Sequence, residues 1–133
     1  SMDKKHLVAG GLYKGTNPFG AENEPLVMRF DWTNQKVVKK HIVDGVKGVI
    51  WRNVVHPEGF VIGCSVGSGG GYLLFWQANK DKAFHKLKLP DTAREMDLHP
   101  DGITLATVHW NKKLLLTKKL KKEYQMLTNI IPD

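Results

Sequence analysis

The chain has 133 residues, 41% hydrophobic and 25% charged, with one cysteine and a formal net charge of +7. That length suits one ordinary domain, and the apolar share suits a folded globule rather than a disordered tail. A single cysteine excludes an internal disulfide framework, and no apolar run approaches the ~18 residues of a membrane-spanning helix.

Ser1-Met2 reads as a tag remnant, and no charged-then-apolar leader follows it. His6 to Leu12 reads as a short strand. Lys14 to Pro25 is a polar stretch rich in turn formers, with Gly15, Asn17-Pro18 and Gly20. Leu26 to Phe30 is a second strand, and Thr33-Asn34-Gln35 turns it. Lys36 to Val43 is a third. Strict alternation there puts Val37, Lys39 and His41 on one face and Val38, Lys40 and Ile42 on the other.

The pattern then recurs. Gly48 to Val55 is β-rich, and His56-Pro57-Glu58-Gly59 turns it into Phe60 to Val66. The cluster Gly67, Gly69, Gly70, Gly71 connects to Tyr72–Trp76, and Asn79-Lys80-Asp81 leads into Ala83–Leu89. After Pro90-Asp91 come Ala93–Leu98, the turn His99-Pro100-Asp101-Gly102, Ile103–Val108, and a strand starting at Leu114. Short strands at roughly 8–12-residue spacing, with no intervening long helices, predict an all-β protein.

Charge is concentrated near the end. Between residues 111 and 123, six lysines less Glu123 give +5, which leaves +2 of the +7 for the rest. A nucleic-acid face wants basic residues over a contiguous surface, so no nucleic-acid partner is expected. Leu116, Leu120, Tyr124 and Leu127 recur at helical spacing between lysines. One reading of Lys112–Lys122 is therefore a basic amphipathic helix for an anionic membrane. The favoured reading is a strand over 113–120, with an outer strand or a tail at 121–133.

The two turns His56–Gly59 and His99–Gly102 stand 43 residues apart, each between apolar strands. A period of about 40–45 residues with four strands per unit is that of propeller blades. Here the residues resemble the WD-repeat β-propeller family. Phe30-Asp31 fills the place of the aromatic–aspartate pair that ends a blade's third strand. Trp76-Gln77 and Thr117-Lys118 fill it in the next two units, so the aspartate survives once and the repeats are degenerate. The resemblance covers about residues 6 to 120. It implies β-propeller-like blades of four-stranded antiparallel sheets: a partial first blade over 3–43, a second over 44–89 and a third over 90–120. The first lacks its innermost strand. A ring needs roughly 4–8 blades, so this one is incomplete unless the chain self-associates as a homo-oligomer, two copies making six blades, or is a piece cut from a longer propeller. A β-sandwich is the alternative that strand spacing alone leaves open.

No residue pattern here carries catalysis. His56 and His99 have no second ligand at metal-binding spacing and read as turn residues. Cys64 lies within an apolar strand and reads as a buried thiol. The glycine cluster lacks the lysine and helix of a phosphate loop. Asp91, Glu95 and Asp97 read as ordinary strand-end carboxylates. No cofactor or metal is expected. The expected function is a non-catalytic protein-interaction scaffold in a reducing, cytoplasmic compartment. A glycan or small-ligand module, or an enzyme part completed by other chains, stands beside it. The resemblance implies that one face gathers Tyr13–Glu24, Asp44–Lys47, Gly67–Gly71, Asp91–Arg94 and His109–Asn111. Tyr13, Lys14, Phe19, Lys47, Arg94, His109 and Trp110 are the candidate partner-binding residues.

Overall fold

A computed structural model describes residues 4–15, 23–110, 114–120 and 123–130. The described residues are all-β and form three antiparallel sheets that do not close into a barrel. Sheet 1 has three strands, β1 (His6–Tyr13), β2 (Glu24–Asp31) and β3 (Lys36–Ile42). Sheet 2 has four, β4 (Val49–Val55), β5 (Val61–Val66), β6 (Tyr72–Trp76) and β7 (His85–Lys88). Sheet 3 has four, β8 (Ala93–Leu98), β9 (Thr104–His109), β10 (Leu114–Leu120) and β11 (Glu123–Ile130). Within each sheet, strands pair in chain order, as short connections demand. Among the described residues no helix is long and apolar enough to cross a membrane.

Strands replace the helix considered for the basic C-terminal segment. The Leu116–Leu127 spacing falls on β10 and β11, which pair with each other. Leu114-Leu115-Leu116 is a short apolar run that supplies both faces of a strand, and the pairing of β10 with β9 and β11 prevails over the looser helical spacing. Lys112, Lys113, Lys121 and Lys122 lie outside the described residues.

Sheet 2 is the middle layer: β1 and β2 pack on β4, and β4 and β5 pack on β8. Its alternation serves two cores at once. Val61, Leu74 and Trp76 are buried toward sheet 1, with Val27 and Val43. Ile62, Cys64, Leu73 and Phe75 are buried toward sheet 3, with Met96, Leu105 and Leu115. A strand buried on both faces reads as a continuous apolar run, and so β5 and β6 look in the sequence.

Sheet 1 is also clamped edge-on. Trp76 Nε1 donates to the Ile42 carbonyl at 2.8 Å, and Ile42 N–H donates to the Asp81 carbonyl at 2.7 Å. Lys39 pairs with Asp81 at 2.8 Å. His41 is fully buried, and its Nδ1 lies 2.8 Å from the Lys80 carbonyl. That contact makes Nδ1–H the donor and leaves Nε2 a bare acceptor, without a hydrogen-bond partner among the described residues. Burial holds the imidazole below its ordinary value, helped by the nearby Arg29 and Lys39 charges.

Register shifts occur in β2–β3, β4–β5, β8–β9 and β10–β11, and the first of them, with a difference between the two His-Pro turns, decides which residues face inward in the outer sheets. A β-bulge shifts the β2–β3 register, so Phe30 pairs with Val37 while Arg29 pairs with Lys39. Cross-strand partners share a face. Val37 therefore joins Lys40 and Ile42 on the outer face, not Lys39 and His41 as strict alternation predicts. The repeated turns supply the other difference. Both close alike, Gly59 N–H to His56 C=O at 2.8 Å and Gly102 N–H to His99 C=O at 2.9 Å. They exit differently: His56 N–H bonds the Phe60 carbonyl, but His99 N–H bonds the Thr104 carbonyl. The second turn thus carries one extra residue before its strand. Asp101 accommodates it, accepting from Ile103 N–H at 2.7 Å and Thr104 N–H at 2.8 Å. These bonds, Thr104 first, hold the Asp101 carboxyl down at about 2.

Candidate functional site

The connections at one end of the three sheets come together. Gly71 packs so tightly on the Asp91–Thr92 backbone that a Cβ would collide with the Asp91 carbonyl. Gly69 abuts the Lys47 backbone in the same way, its Cβ position 2.8 Å from the Lys47 carbonyl. Only glycine lets these loops close on each other. Trp110 N–H donates to the Thr92 carbonyl at 3.3 Å, and Asn23 Nδ2 donates to the Lys14 carbonyl at 2.9 Å. The result is a rim running from Tyr13 to Trp110.

Arg94 stacks over the Trp110 indole, its guanidinium carbon 4.1 Å from the ring centroid, and faces Trp51 at 5.8 Å. Both indoles are more than half exposed, Trp110 at 67% and Trp51 at 52%. A planar cation on an exposed aromatic face is held electrostatically while its N–H edge stays free to accept a partner's oxygen. Next to it, Arg52 pairs with Glu95 at 2.6 Å, and the Glu95 carboxyl is held low by that bond.

Tyr13, Lys14 and Lys47 meet elsewhere on the rim, around a hollow of about 220 Å³ shared with Asn23 and Glu24. Lys14 lies 5.1 Å from the Tyr13 ring centroid. Phe19 lies outside the described residues. His109 is placed differently from the rest. It is buried, with Nε2 2.9 Å from Thr107 Oγ1 and Nδ1 2.9 Å from the Asp91 carbonyl. Its ring tethers the Asp91 loop and presents nothing to solvent. The reason is position: His109 continues the inward-facing series Leu105, Thr107, while Trp110 leaves the strand.

Sequence reasoning missed Trp51. It sits in β4, where it reads as one more apolar strand residue, and only the exposure of that strand's edge reveals it. Trp51 is the unpaired residue of a β-bulge, since Ile50 pairs with Ser65 and Arg52 with Cys64, and no residue type in Ile50-Trp51-Arg52 announces that bulge.

The remaining candidates are structural. Cys64 is buried, and burial pushes its thiol up to about 11. His56 is buried against Phe60, ring centroids 4.1 Å apart, with Nε2 2.6 Å from the Gly102 carbonyl. Its Nδ1 accepts from Glu58 N–H at 3.0 Å, so Nε2–H is the donor to Gly102. Among the described residues no group of three His, Cys, Asp or Glu is arranged to hold a metal ion. A shallow hollow of about 360 Å³ lies beside Asp44, Lys82, Phe84 and His85, crossed by the 2.7 Å Lys82–Asp44 ion pair.

No protein-family model matches the chain, and no curated protein resembles it closely enough to count as a relative.

Proposed function

We propose that the chain is a non-catalytic protein-interaction scaffold, a three-blade piece of a WD-repeat-like β-propeller that binds its partner on the rim around Arg94. Three observations support the propeller reading. Three antiparallel meanders stand side by side with β4 against β8. The His-Pro turns recur at blade spacing. The places of Phe30 and Trp76 coincide in pairing register, opposite Leu7 and Val61. A propeller is a scaffold, so function is argued from the site.

The single observation that carries the binding reading is the exposed Trp51–Arg94–Trp110 stack. Tryptophan and arginine dominate protein-binding hot spots, and here they are preassembled on a rigid pair of sheets. The free guanidinium edge suits a carboxylate of the partner. Tyr13, Lys14 and Lys47 extend the same rim with positive charge. A reducing, cytoplasmic setting suits the buried free thiol of Cys64.

A photo-crosslinking residue tests the reading when placed at Trp110 and, separately, at Ile103, which lies at the opposite end. Crosslinks to one protein from position 110, absent from position 103 and lost with Arg94→Ala, are expected. Equal crosslinking from both ends would refute it. The exposed indoles also favour a second reading, a glycan-binding module, because tryptophan faces stack on sugars. Arg94 already covers one face of Trp110. Glycan-array binding lost in Trp110→Ala would favour that module.

A further inference from the structure

The pairing registers align the three sheets residue by residue. Leu7, Val61 and Leu105 stand opposite Phe30, Trp76 and Thr117, and Met28, Leu74 and Leu115 precede these by two. The middle sheet shows what each of these places does. Val61, Leu74 and Trp76 are buried against sheet 1. Ile62, Cys64, Leu73 and Phe75 are buried against sheet 3.

Each outer sheet carries one of these two sets on a face that no other sheet packs on among the described residues. On sheet 1 the counterparts of Val61, Leu74 and Trp76 are Leu7, Met28 and Phe30, and Val37 joins them opposite Phe30. Leu7 is 57% exposed and Val37 48%. On sheet 3 the counterparts of Ile62, Cys64, Leu73 and Phe75 are Ala106, Val108, Leu114 and Leu116. Val108 is 45% exposed. Each outer sheet is therefore built as one half of the junction that the middle sheet makes on its two sides.

We propose that the open face of sheet 1 packs on the open face of sheet 3 of a second copy, head to tail, and that two such junctions close a two-chain ring. The junction rests on the two faces alone; its closure at two copies rests on the propeller reading above.

The turns point the same way. His56 crosses from sheet 2 to sheet 3 by its bond to the Gly102 carbonyl. His99 has the same local geometry, its Nδ1 accepting from Asp101 N–H at 3.1 Å, yet its side chain is 64% exposed. Gly102 stands three residues before Leu105 with φ 67°; Lys4 stands three residues before Leu7 with φ 57°. Sheet 1 thus begins with the end of the same turn. In a head-to-tail junction the Lys4 carbonyl, which accepts from Trp32 Nε1 at 3.0 Å and keeps a second lone pair, takes the place opposite His99 that Gly102 takes opposite His56.

The test is the molar mass, by light scattering, of Leu7→Glu, of Val108→Glu, and of their equimolar mixture. Both positions are exposed within one chain, so each variant folds, as thermal melts will verify. The wild type is expected as two chains and each variant alone as one. The mixture is expected to recover a two-chain species, because one intact face of each kind remains, with affinity weakened about tenfold or more by the loss of one junction. A monomeric wild type would overturn the proposal. So would a variant that stays dimeric while the other does not, which marks a like-with-like contact, or a mixture that stays monomeric. Open polymers of the wild type would uphold the junction and overturn closure at two copies. None of these outcomes depends on the rim, and Arg94→Ala is expected to remain two chains.

Discussion

Gly63→Ala probes the junction between sheets 1 and 2 most sharply. Gly63 lies in β5 under the buried Trp76 ring, and an added Cβ would sit 3.1 Å from Trp76 Cζ3 and 3.3 Å from Ile50 Cδ1. Trp76 cannot yield easily, since it is fully buried and its Nε1 is tied to the Ile42 carbonyl at 2.8 Å. Overpacking of this kind costs about 1–3 kcal/mol. Replacing a strand glycine returns about 0.5–1 kcal/mol of backbone entropy. The net loss expected is about 1 kcal/mol, or roughly 3–4 °C in Tm for a chain of this length. In a Trp76→Phe background the smaller ring leaves room, and the same substitution should become neutral or stabilising. The assay is urea unfolding of the four chains of the cycle at one fixed protein concentration, because association would otherwise shift the curves. Additive effects, with Gly63→Ala equally costly in both backgrounds, would refute the packing account of this junction.

His56→Ala should cost about 2–3 kcal/mol of folding stability, since it removes a buried ring and its bond to Gly102. His99→Ala, in the same turn but exposed, should leave folding nearly unchanged and weaken self-association; equal folding losses would contradict the difference in burial. Cys64, its thiol pushed up to about 11, should react with a thiol reagent at neutral pH only as fast as the protein unfolds, so rapid labelling of the native chain would contradict its burial. His41 binds its proton less readily in the folded chain than its ordinary 6.5. Its contribution is therefore intact above about pH 6.5 and falls as pH drops below it, by at most about 1.4 kcal/mol per unit. Denaturation curves of the wild type and His41→Phe between pH 7.5 and about 5 should diverge in slope; parallel slopes would show that His41 protonates freely in the native state.

Period two was legible because each strand divides its side chains between two neighbours, and in β5 and β6 both neighbours are apolar. The segment Leu114–Leu120 was legible as a strand for the same reason. What was hidden are single-residue shifts. The bulge opposite Arg29 moves Val37 to the open face, and the extra residue at Ile103 fixes which of Leu105 and Ala106 turns inward. A one-residue slip exchanges the two faces of a strand, and local composition does not record it. At the rim, Arg94 and Trp110 could be named from loop position, and Tyr13, Lys14 and Lys47 also meet there. Trp51 was hidden because its exposure depends on β4 being an edge strand and on the bulge that leaves Trp51 without a pairing partner. His109 is buried because strand parity, not loop proximity, decides where its ring points.

Closure of two chains through their outer sheets is the central claim, and the mass of the wild-type chain in solution tests it most directly. Light scattering over a dilution series is expected to give twice the 15.0 kDa of one chain, independent of ionic strength down to the dissociation range. A folded species of 15.0 kDa at every concentration would contradict it.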